Sequence, residues 1–544
     1  MEIFTKERLR HFATASAVTA LLAAAAPAAS ASSLPVNVPT PPPLVWQQCA
    51  LNPARECARL RVPLNYANPA EGFIELPVAR RRADGASFGP LVMNFGGPVS
   101  QGAFLLEVAG DENFTHEMLE LYDMVAVDAR GMTNGITCFD SQTQGEYWRT
   151  NHFSRSTAEL NHLLALERAA NERCLQDDPA TARNMSSAAS IRDMESLRLA
   201  LGVNQISFFG ISYGTYFGNR YAALYPGRVR AMVLDAVVDH GISDPEIVND
   251  LVKGYEESWT AFKQWCADTA NPCRLRGQNL DALFDELHAR ARSPGIPAPG
   301  NVLDPDRPVN DWELNFALLF SVISGVQFDL TETILFEASQ NDASLAGAIY
   351  DESTGLQPDG SYATGGTFRA ITCVDSRWSQ LLPNASAARA FTLVAKAISP
   401  HFGENGFVQS PQQCFGYPVA PTEAPPVNTR VAPGIPPVLV IGATLDRFTP
   451  LKWSQSVAAR IPDSRLIVRN GNGHGSLGRS ECVRQIVADY LGRGIAPASG
   501  IQCPTDPRSF SPARSSIPDP SQPQGLIAPD SNLLQGTPRR LPET

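Results

Sequence analysis

Residues 205–225, QISFF-GISYG-TYFGNRYAALY, contain the feature that decides the fold: a G-x-S-x-G pattern centred on Ser212. The segment before the pattern is short, apolar and rich in β-prone residues. The segment after it can form a helix, which Pro226-Gly227 then ends. In a strand–turn–helix of this kind the turn is sharp and exposes its central side chain. Both glycines are needed because the strand and helix backbones crowd each other there. The stretch therefore predicts an exposed nucleophilic serine.

The rest of the chain alternates between buried strands and helices. Continuous apolar segments suited to buried strands occur at residues 91–95, 124–128, 231–235, 437–442 and 465–468. Such strands, separated by helices, indicate a mostly parallel sheet covered by helices on both faces. Between the third and fourth of these strands the periodicity becomes helical and the loops rich in Pro, Gly and Asn. This sheet and the elbow at Ser212 together predict an α/β-hydrolase fold, and the helical segment predicts an inserted, mainly helical lid.

The composition changes along the chain divide it into six segments. In order, we predict a signal peptide, a linker, the first part of the core, the lid, the second part of the core, and a disordered Pro/Ser-rich tail. Their bounds are 1–31, 32–45, 46–240, 241–425, 426–503 and 504–544.

A base and an acid must accompany the serine, because a serine hydroxyl alone is a poor nucleophile. In the α/β-hydrolase arrangement they follow the nucleophile in the order acid, then histidine. Asp446 comes just after a buried strand, and His474 lies in the Gly-rich loop 471–475 after the last predicted strand. We predict these two as the acid and the base. Asp235, which ends the strand after the elbow, is the competing acid.

An oxyanion hole also requires two backbone N–H groups directed at the developing negative charge. One is expected from Tyr213, directly after the nucleophile. The other is expected from the loop that follows the early strand and contains Gly96-Gly97-Pro98. Gly97 is the candidate there, with Gly96 as the alternative.

Charge and targeting features limit the partners and the location. The chain has 544 residues and a formal net charge of -11, and it lacks a basic block in its body, so nucleic acid is not an expected partner. Lys6, Arg8 and Arg10, an alanine-rich apolar run and a small-x-small motif at residues 29–31 are typical of an export signal. The run is too short for a permanent membrane anchor. We expect a secreted or periplasmic protein.

The cysteines agree with export, since an even number of them in an oxidising compartment favours disulfides. Neighbours in sequence order are the suggested partners, although sequence alone leaves the connectivity open. The sequence contains no Cys-x-x-Cys spacing of the kind that would suggest a metal site. The ten cysteines are Cys49, Cys57, Cys138, Cys174, Cys266, Cys273, Cys373, Cys414, Cys482 and Cys503.

The Gly-Gly-Pro loop, residues 209–215, Asp446 and Gly473-His474 together resemble the proline iminopeptidase branch of the α/β-hydrolases. Within it the chain is similar to the secreted tripeptidyl aminopeptidases of actinomycetes, over roughly residues 46–503. The resemblance implies a serine exopeptidase acting at free peptide N-termini, with no metal or organic cofactor. An aminopeptidase must bind an α-ammonium group, and Asp375, in the lid segment 370–375 that is also similar, is the candidate.

Two departures from the family pattern affect the substrate prediction. Val99 stands where the family has a glycine beside the oxyanion hole. Thr133 stands where the family pattern Asp-x-Arg-Gly-x-Gly, which begins here at Asp128, ends in glycine. An ester or lactone hydrolase with the same three residues is therefore the second hypothesis, because one fold supports many chemistries. A non-catalytic binding protein is the third.

Overall fold

A computed structural model describes residues 36–98, 101–132, 135–324, 328–362, 365–408, 410–420 and 429–506. The predicted signal peptide, Val99, Thr133 and the tail beyond Asp506 lie outside the described residues.

The described residues form one ten-stranded sheet in the order β1-β2-β3-β5-β4-β6-β7-β8-β9-β10. The pairs β1–β2, β2–β3 and β3–β5 are antiparallel, and every pair from β5 to β10 is parallel. The mostly parallel sheet predicted from the buried strands is confirmed. The strands are β1 Gln47–Gln48, β2 Glu56–Pro63, β3 Phe73–Arg81, β4 Pro90–Asn94, β5 Asp123–Val127, β6 Ile206–Ile211, β7 Val229–Asp235, β8 Val438–Leu445, β9 Ser464–Asn472 and β10 Ile501–Pro504.

Helices cover both faces of this sheet, because its strands carry apolar side chains on both sides. One face packs on α6 Ser187–Ala200, α7 Tyr213–Leu224 and α18 Leu451–Arg460. The other packs on α1 Gly102–Val108, α2 His116–Leu121 and α19 Glu481–Arg493. Each fully buried Leu, Val or Phe in these layers contributes about 1.5–3 kcal/mol relative to an exposed one. This arrangement, a mostly parallel sheet covered by helices on both faces, is the α/β-hydrolase fold.

A separate helical layer has its own core. It contains the predicted lid helices and also α3–α5, which precede the nucleophile in sequence and were assigned to the core segment 46–240. The apolar side chains of these three helices, Leu160 and Leu164 among them, pack into the same core as the later helices. The helices are α3 Ser141–Arg149, α4 Thr157–Asp177, α5 Pro179–Asn184, α8 Asp244–Ala267, α9 Leu280–Arg292, α10 Asp311–Ser324, α11 Phe328–Ser339, α12 Ser344–Thr354, α13 Thr367–Asp375, α14 Trp378–Leu381, α15 Ala385–Ile398, α16 Gly403–Val408 and α17 Ser410–Gln413.

Five disulfides join the ten cysteines, each to its neighbour in sequence order. Two lie at the ends of the sheet, and three lie in the helical layer. The pairs are Cys49–Cys57, Cys138–Cys174, Cys266–Cys273, Cys373–Cys414 and Cys482–Cys503. The disulfide prediction is confirmed.

The C-terminal end of the core extends past the predicted boundary at residue 503. Pro504 completes β10, which pairs in parallel with β9. Thr505 accepts a hydrogen bond from Arg469, and Asp506 accepts one from the backbone of Glu481. The Cys482–Cys503 disulfide holds this segment against α19, so Pro504 to Asp506 are part of the core.

A search of the described helices for a span that is long and apolar enough to cross a membrane finds none.

Candidate active site

Ser212 occupies a strained turn between β6 and α7. Its φ of 56° and ψ of -130° are unusual for a residue with a side chain, and such a conformation costs of order 1–3 kcal/mol. A β-carbon on Gly210 would lie 2.6 Å from the Gly214 carbonyl oxygen, and one on Gly214 would lie 2.5 Å from the Asn94 carbonyl oxygen. The crowding expected from the G-x-S-x-G pattern is therefore present on both sides of the serine.

His474 and Asp446 form a hydrogen-bonded pair at the same edge of the sheet. Asp446 follows β8 and His474 follows β9, and these strands are parallel neighbours. The Nδ1 atom of His474 lies 2.9 Å from Oδ2 and 3.1 Å from Oδ1 of Asp446. Asp446 is buried, at 3% exposure, while His474 is half-buried. A buried carboxylate thus holds the imidazole on one side and leaves its Nε2 atom for another partner.

Thr449 completes the carboxylate environment and was not anticipated from the sequence. Its backbone N–H donates to Oδ1 of Asp446 at 3.0 Å, and its hydroxyl donates to Oδ2 at 2.9 Å. The Phe448 N–H adds a further bond to Oδ1. The spacing Asp-x-x-Thr is typical of a local side-chain-to-backbone turn, which could have suggested this role. These donors fix the plane of the carboxylate that His474 contacts.

The electrostatics of the pair favour the charged forms of both groups. Burial alone would raise the pKa of Asp446, but the facing His474 and the Thr449 donors bring it below its usual value. Burial alone would lower the pKa of His474, but the Asp446 charge and hydrogen bond bring it above its usual value. The pair is therefore suited to hold an imidazolium that forms during a reaction.

The Gly-Gly-Pro loop lies against the serine. A β-carbon on Gly96 would be 3.0 Å from the Ser212 β-carbon and 3.6 Å from its Oγ. Both loop glycines have positive φ, +99° at Gly96 and +123° at Gly97. The Gly96 N–H already donates to the Asn94 side chain at 3.0 Å. Of the two candidates, Gly97 is therefore the better source of an N–H for the oxyanion. Tyr213 is the first residue of α7, where helix geometry gives the N–H no intrahelical acceptor.

Asp375 lies at the end of α13, beside the residue that follows the nucleophile. Its carboxylate accepts a hydrogen bond from the Tyr213 hydroxyl at 3.2 Å. It also accepts bonds from the Ser187 N–H at 2.9 Å and hydroxyl at 2.5 Å. Burial and the nearby Asp375 charge raise the pKa of Tyr213 well above its usual value. The structure thus brings a lid carboxylate to Tyr213.

His240 also contacts this region and was not singled out by the sequence. Its ring packs on Tyr216 with centroids 4.0 Å apart and meets Tyr213 edge-on at 5.1 Å. Burial lowers its pKa to about 4, so it is neutral at physiological pH. Nothing in its sequence context distinguished it from a surface histidine.

The described residues bring together one group with the spacing of a metal site, Cys49, Cys57 and Glu107. Both sulfurs belong to a disulfide, so they cannot act as thiolate ligands.

The strained serine, the carboxylate–imidazole pair and the parallel sheet that carries them define a class: the chain is a serine hydrolase with the α/β-hydrolase fold.

Comparison with known proteins narrows this class. Residues 399–503 match the family model described as TAP-like protein. Over 482 residues the chain is 25% identical to a tripeptidyl aminopeptidase of Streptomyces lividans, covering 84% of this chain and 86% of the relative. It is 26% identical over 486 residues to the serine protease Hip1 of Mycobacterium tuberculosis, covering 85% of this chain and 91% of that protein. It is also 27% identical over 506 residues to carboxylesterase B of the same organism, covering 88% and 95%. The resemblance to α/β-hydrolases of the tripeptidyl aminopeptidase type is confirmed.

Proposed function

We propose that this chain is an exported serine aminopeptidase that releases short peptides or single residues from peptide N-termini through an acyl-enzyme. The observation that carries the proposal is the His474–Asp446 pair, 2.9 Å apart, at the sheet edge that also bears the strained Ser212. The relatives named tripeptidyl aminopeptidase and serine protease support a peptide substrate. The five disulfides support a location outside the cytoplasm, secreted or periplasmic.

In this mechanism Ser212 Oγ attacks the scissile carbonyl and His474 Nε2 takes its proton. His474 Nδ1 donates to Asp446, which fixes the ring and stabilises the imidazolium. The backbone N–H groups of Gly97 and Tyr213 bind the oxyanion. The imidazolium then protonates the leaving amine, and a water molecule activated by His474 hydrolyses the acyl-enzyme.

Asp375 binds the α-ammonium of the substrate in this proposal. It lies at the Tyr213 hydroxyl, so an ammonium held there would place the first residues of the peptide beside the nucleophile. A charge-assisted hydrogen bond of this kind contributes about 1.5–3 kcal/mol. This anchoring explains why a free N-terminus would be required.

The second candidate is hydrolysis of carboxylic esters or lactones by the same three residues. The relative named carboxylesterase B, which the chain covers as fully as the peptidases, favours it. Hydrolysis of an ester needs no ammonium site, so Asp375 separates the two hypotheses.

The test compares wild type, Ser212→Ala and Asp375→Asn on a tripeptidyl arylamide, its N-acetylated form and a short acyl ester. Ser207→Ala is the matched control, because this buried β6 hydroxyl has no hydrogen-bond partner among the described residues. We expect arylamide turnover that Ser212→Ala abolishes, Ser207→Ala retains and acetylation prevents. We expect Asp375→Asn to raise KM for the free peptide about tenfold or more, with ester kinetics unchanged. Ester turnover without amide cleavage would select the second candidate, and no reaction of wild type with a fluorophosphonate would contradict both.

A further inference from the structure

Asp235 is bonded to the nucleophile through its backbone. It is the last residue of β7, next to β6, and its carbonyl oxygen accepts the Ser212 N–H at 3.0 Å. Its side chain is fully buried, at 0% exposure. The next residue, Ala236, has a φ of 59°, so the chain turns sharply directly after it. The position of Asp235 is therefore fixed relative to the elbow.

The carboxylate of the same residue is bonded to the loop that carries the base. Its Oδ2 atom accepts the N–H groups of Ser476 at 2.7 Å and Leu477 at 3.0 Å. These residues follow His474 by two and three positions. One side chain therefore joins the histidine loop to the strand end that holds Ser212.

Arg469 holds the other side of this loop. It is fully buried in β9, and its guanidinium donates to the carbonyl oxygens of Asn472 at 2.9 Å, Gly473 at 2.6 Å and Gly475 at 3.3 Å. It also donates to the hydroxyls of Ser476 and Thr505. The loop around His474 thus has its carbonyl groups bonded to a cation and its N–H groups bonded to Asp235.

We propose that Asp235 is a positioning residue that sets the histidine loop in register with the nucleophile, so that His474 meets Ser212. It does not act as the acid of the site, because Asp446 binds the imidazole. The inference rests on the proposed roles of Ser212 and His474. A misplacement of about 1 Å between such groups can cost on the order of 100-fold in rate.

The charges around His474 give the proposed role of Asp235 a second measurable consequence, an effect on the pKa of His474. Asp446 and Asp235 both raise the pKa of His474, and Arg479, from the same loop, lowers it. Asp235 itself faces Arg469 and His474, while its burial raises its own pKa. Removing the Asp235 charge should lower the pKa of His474 and move the acid limb of the pH–rate profile to lower pH.

The test uses the full chain with the variants Asp235→Asn, Asp235→Ala and Asp235→Ser. Asp311→Asn is the control, because it also removes a buried carboxylate, at a position far from Asp235 in sequence. A carboxamide can still accept both N–H groups through its oxygen, and its nitrogen would take the place of Oδ1, which has no partner among the described residues. Alanine and serine cannot bridge to both groups. The readout is the rate of fluorophosphonate labelling as a function of pH, normalised to titrated active sites, so that partly folded variants remain usable.

Labelling of wild type and its loss in Ser212→Ala establish the proposed site independently of Asp235. We then expect the plateau rate to fall about 100-fold in the two truncated variants and to stay within about fivefold of wild type in Asp235→Asn. The acid limb should move to lower pH in all three and stay in place in Asp311→Asn. Truncated variants with the wild-type plateau, an asparagine variant as slow as alanine, or an unmoved acid limb would each overturn the proposal.

Discussion

At the scale of single residues, the backbone of Ser212 is held in its strained conformation by hydrogen bonds. Its N–H is bonded to Asp235, and its carbonyl oxygen accepts from the Thr215 hydroxyl at 2.6 Å. The Thr215 oxygen accepts in turn from the Val238 N–H. Both partners lie on or next to the elbow, so local hydrogen bonds offset the conformational strain at Ser212.

The carboxylate–imidazole pair predicts a specific effect of charge removal. Asp446→Asn keeps the shape of the side chain but removes the charge that raises the pKa of His474. With its oxygen at the Oδ1 position, where two backbone N–H groups donate, its NH2 group faces Nδ1 of His474 and selects the wrong tautomer. We expect kcat/KM to fall about 10⁴-fold, as for loss of a triad carboxylate in general. The acid limb of the pH profile should move to lower pH, because neutral His474 then persists to lower pH.

The measurement is kcat/KM from pH 5 to 9 on the substrate that wild type cleaves. Asp235→Asn is the matched control at the competing acid position. A larger loss in Asp235→Asn than in Asp446→Asn would exchange the two roles.

The placement of Ser212, Asp446 and His474 at one edge of the sheet could be predicted from the sequence, because each follows a strand and parallel strands bring their carboxyl ends to one edge. Asp235 also ends a strand, so sequence alone could not separate it from Asp446. The difference lies in side-chain direction: one carboxylate meets the imidazole, and the other meets the backbone of the next loop. Arg469 gave no signal, because an arginine in an amphipathic strand end is expected at the surface.

At the scale of elements, the close contact between β4, β6 and α7 requires glycine at positions 210 and 214, because a side chain there would meet the neighbouring backbone. Gly214→Ala would place a β-carbon 2.5 Å from the Asn94 carbonyl oxygen, at the base of the Gly-Gly-Pro loop. The loop and helix must then separate. We expect a destabilisation of about 1–3 kcal/mol and a large loss of activity.

Gly227→Ala, just beyond the same helix, has open space around its β-carbon and should change neither property. Thermal unfolding and fluorophosphonate labelling measure both effects. A Gly214→Ala variant as stable and as reactive as Gly227→Ala would contradict this account of the elbow.

The element pattern was predictable where periodicity is strong and less so at the sheet edges. The buried strands and the helices on both sides of the elbow follow from continuous apolar runs. β10 was missed because Ile501–Pro504 is short and adjoins a Pro-rich tail, and its place depends on the Cys482–Cys503 disulfide. The helices α3–α5 fall within the predicted core segment 46–240, because only their long-range packing shows that they lie in the helical layer.

At the scale of the whole molecule, chain segments far apart in sequence form the helical layer. Arg369 of α13 donates to Glu167 of α4 at 2.5 Å and to the carbonyl oxygen of Gln413 at 2.7 Å. All of its polar partners are buried or half-buried, so these bonds hold the early and late helices together. At Asp375 the layer contacts the helices that cover the sheet, since this carboxylate accepts hydrogen bonds from Ser187 of α6 and Tyr213 of α7.

The disulfides at the two ends of the sheet should differ in their effect on activity. Replacing Cys482 and Cys503 by alanine removes a link spanning 21 residues, which costs about 3 kcal/mol, and frees the segment whose Thr505 is bonded to Arg469. We expect lower stability together with slower fluorophosphonate labelling. Replacing Cys49 and Cys57 should lower stability with the labelling rate retained, because that bridge lies at the opposite edge, β1–β2.

Melting temperature and labelling rate of the two double variants are the measurements. Equal labelling rates in both would show that the C-terminal segment does not support the base.

The bond between Arg469 and Thr505 makes the support of the histidine loop depend on a residue made late in synthesis. A ribosome makes the nucleophile well before the base, and it makes the support of the base almost last among the described residues. The Cys482–Cys503 bridge that keeps this segment in place forms only under oxidising conditions. The histidine loop therefore has its full set of contacts only once the segment carrying Thr505 has been made and the bridge has formed.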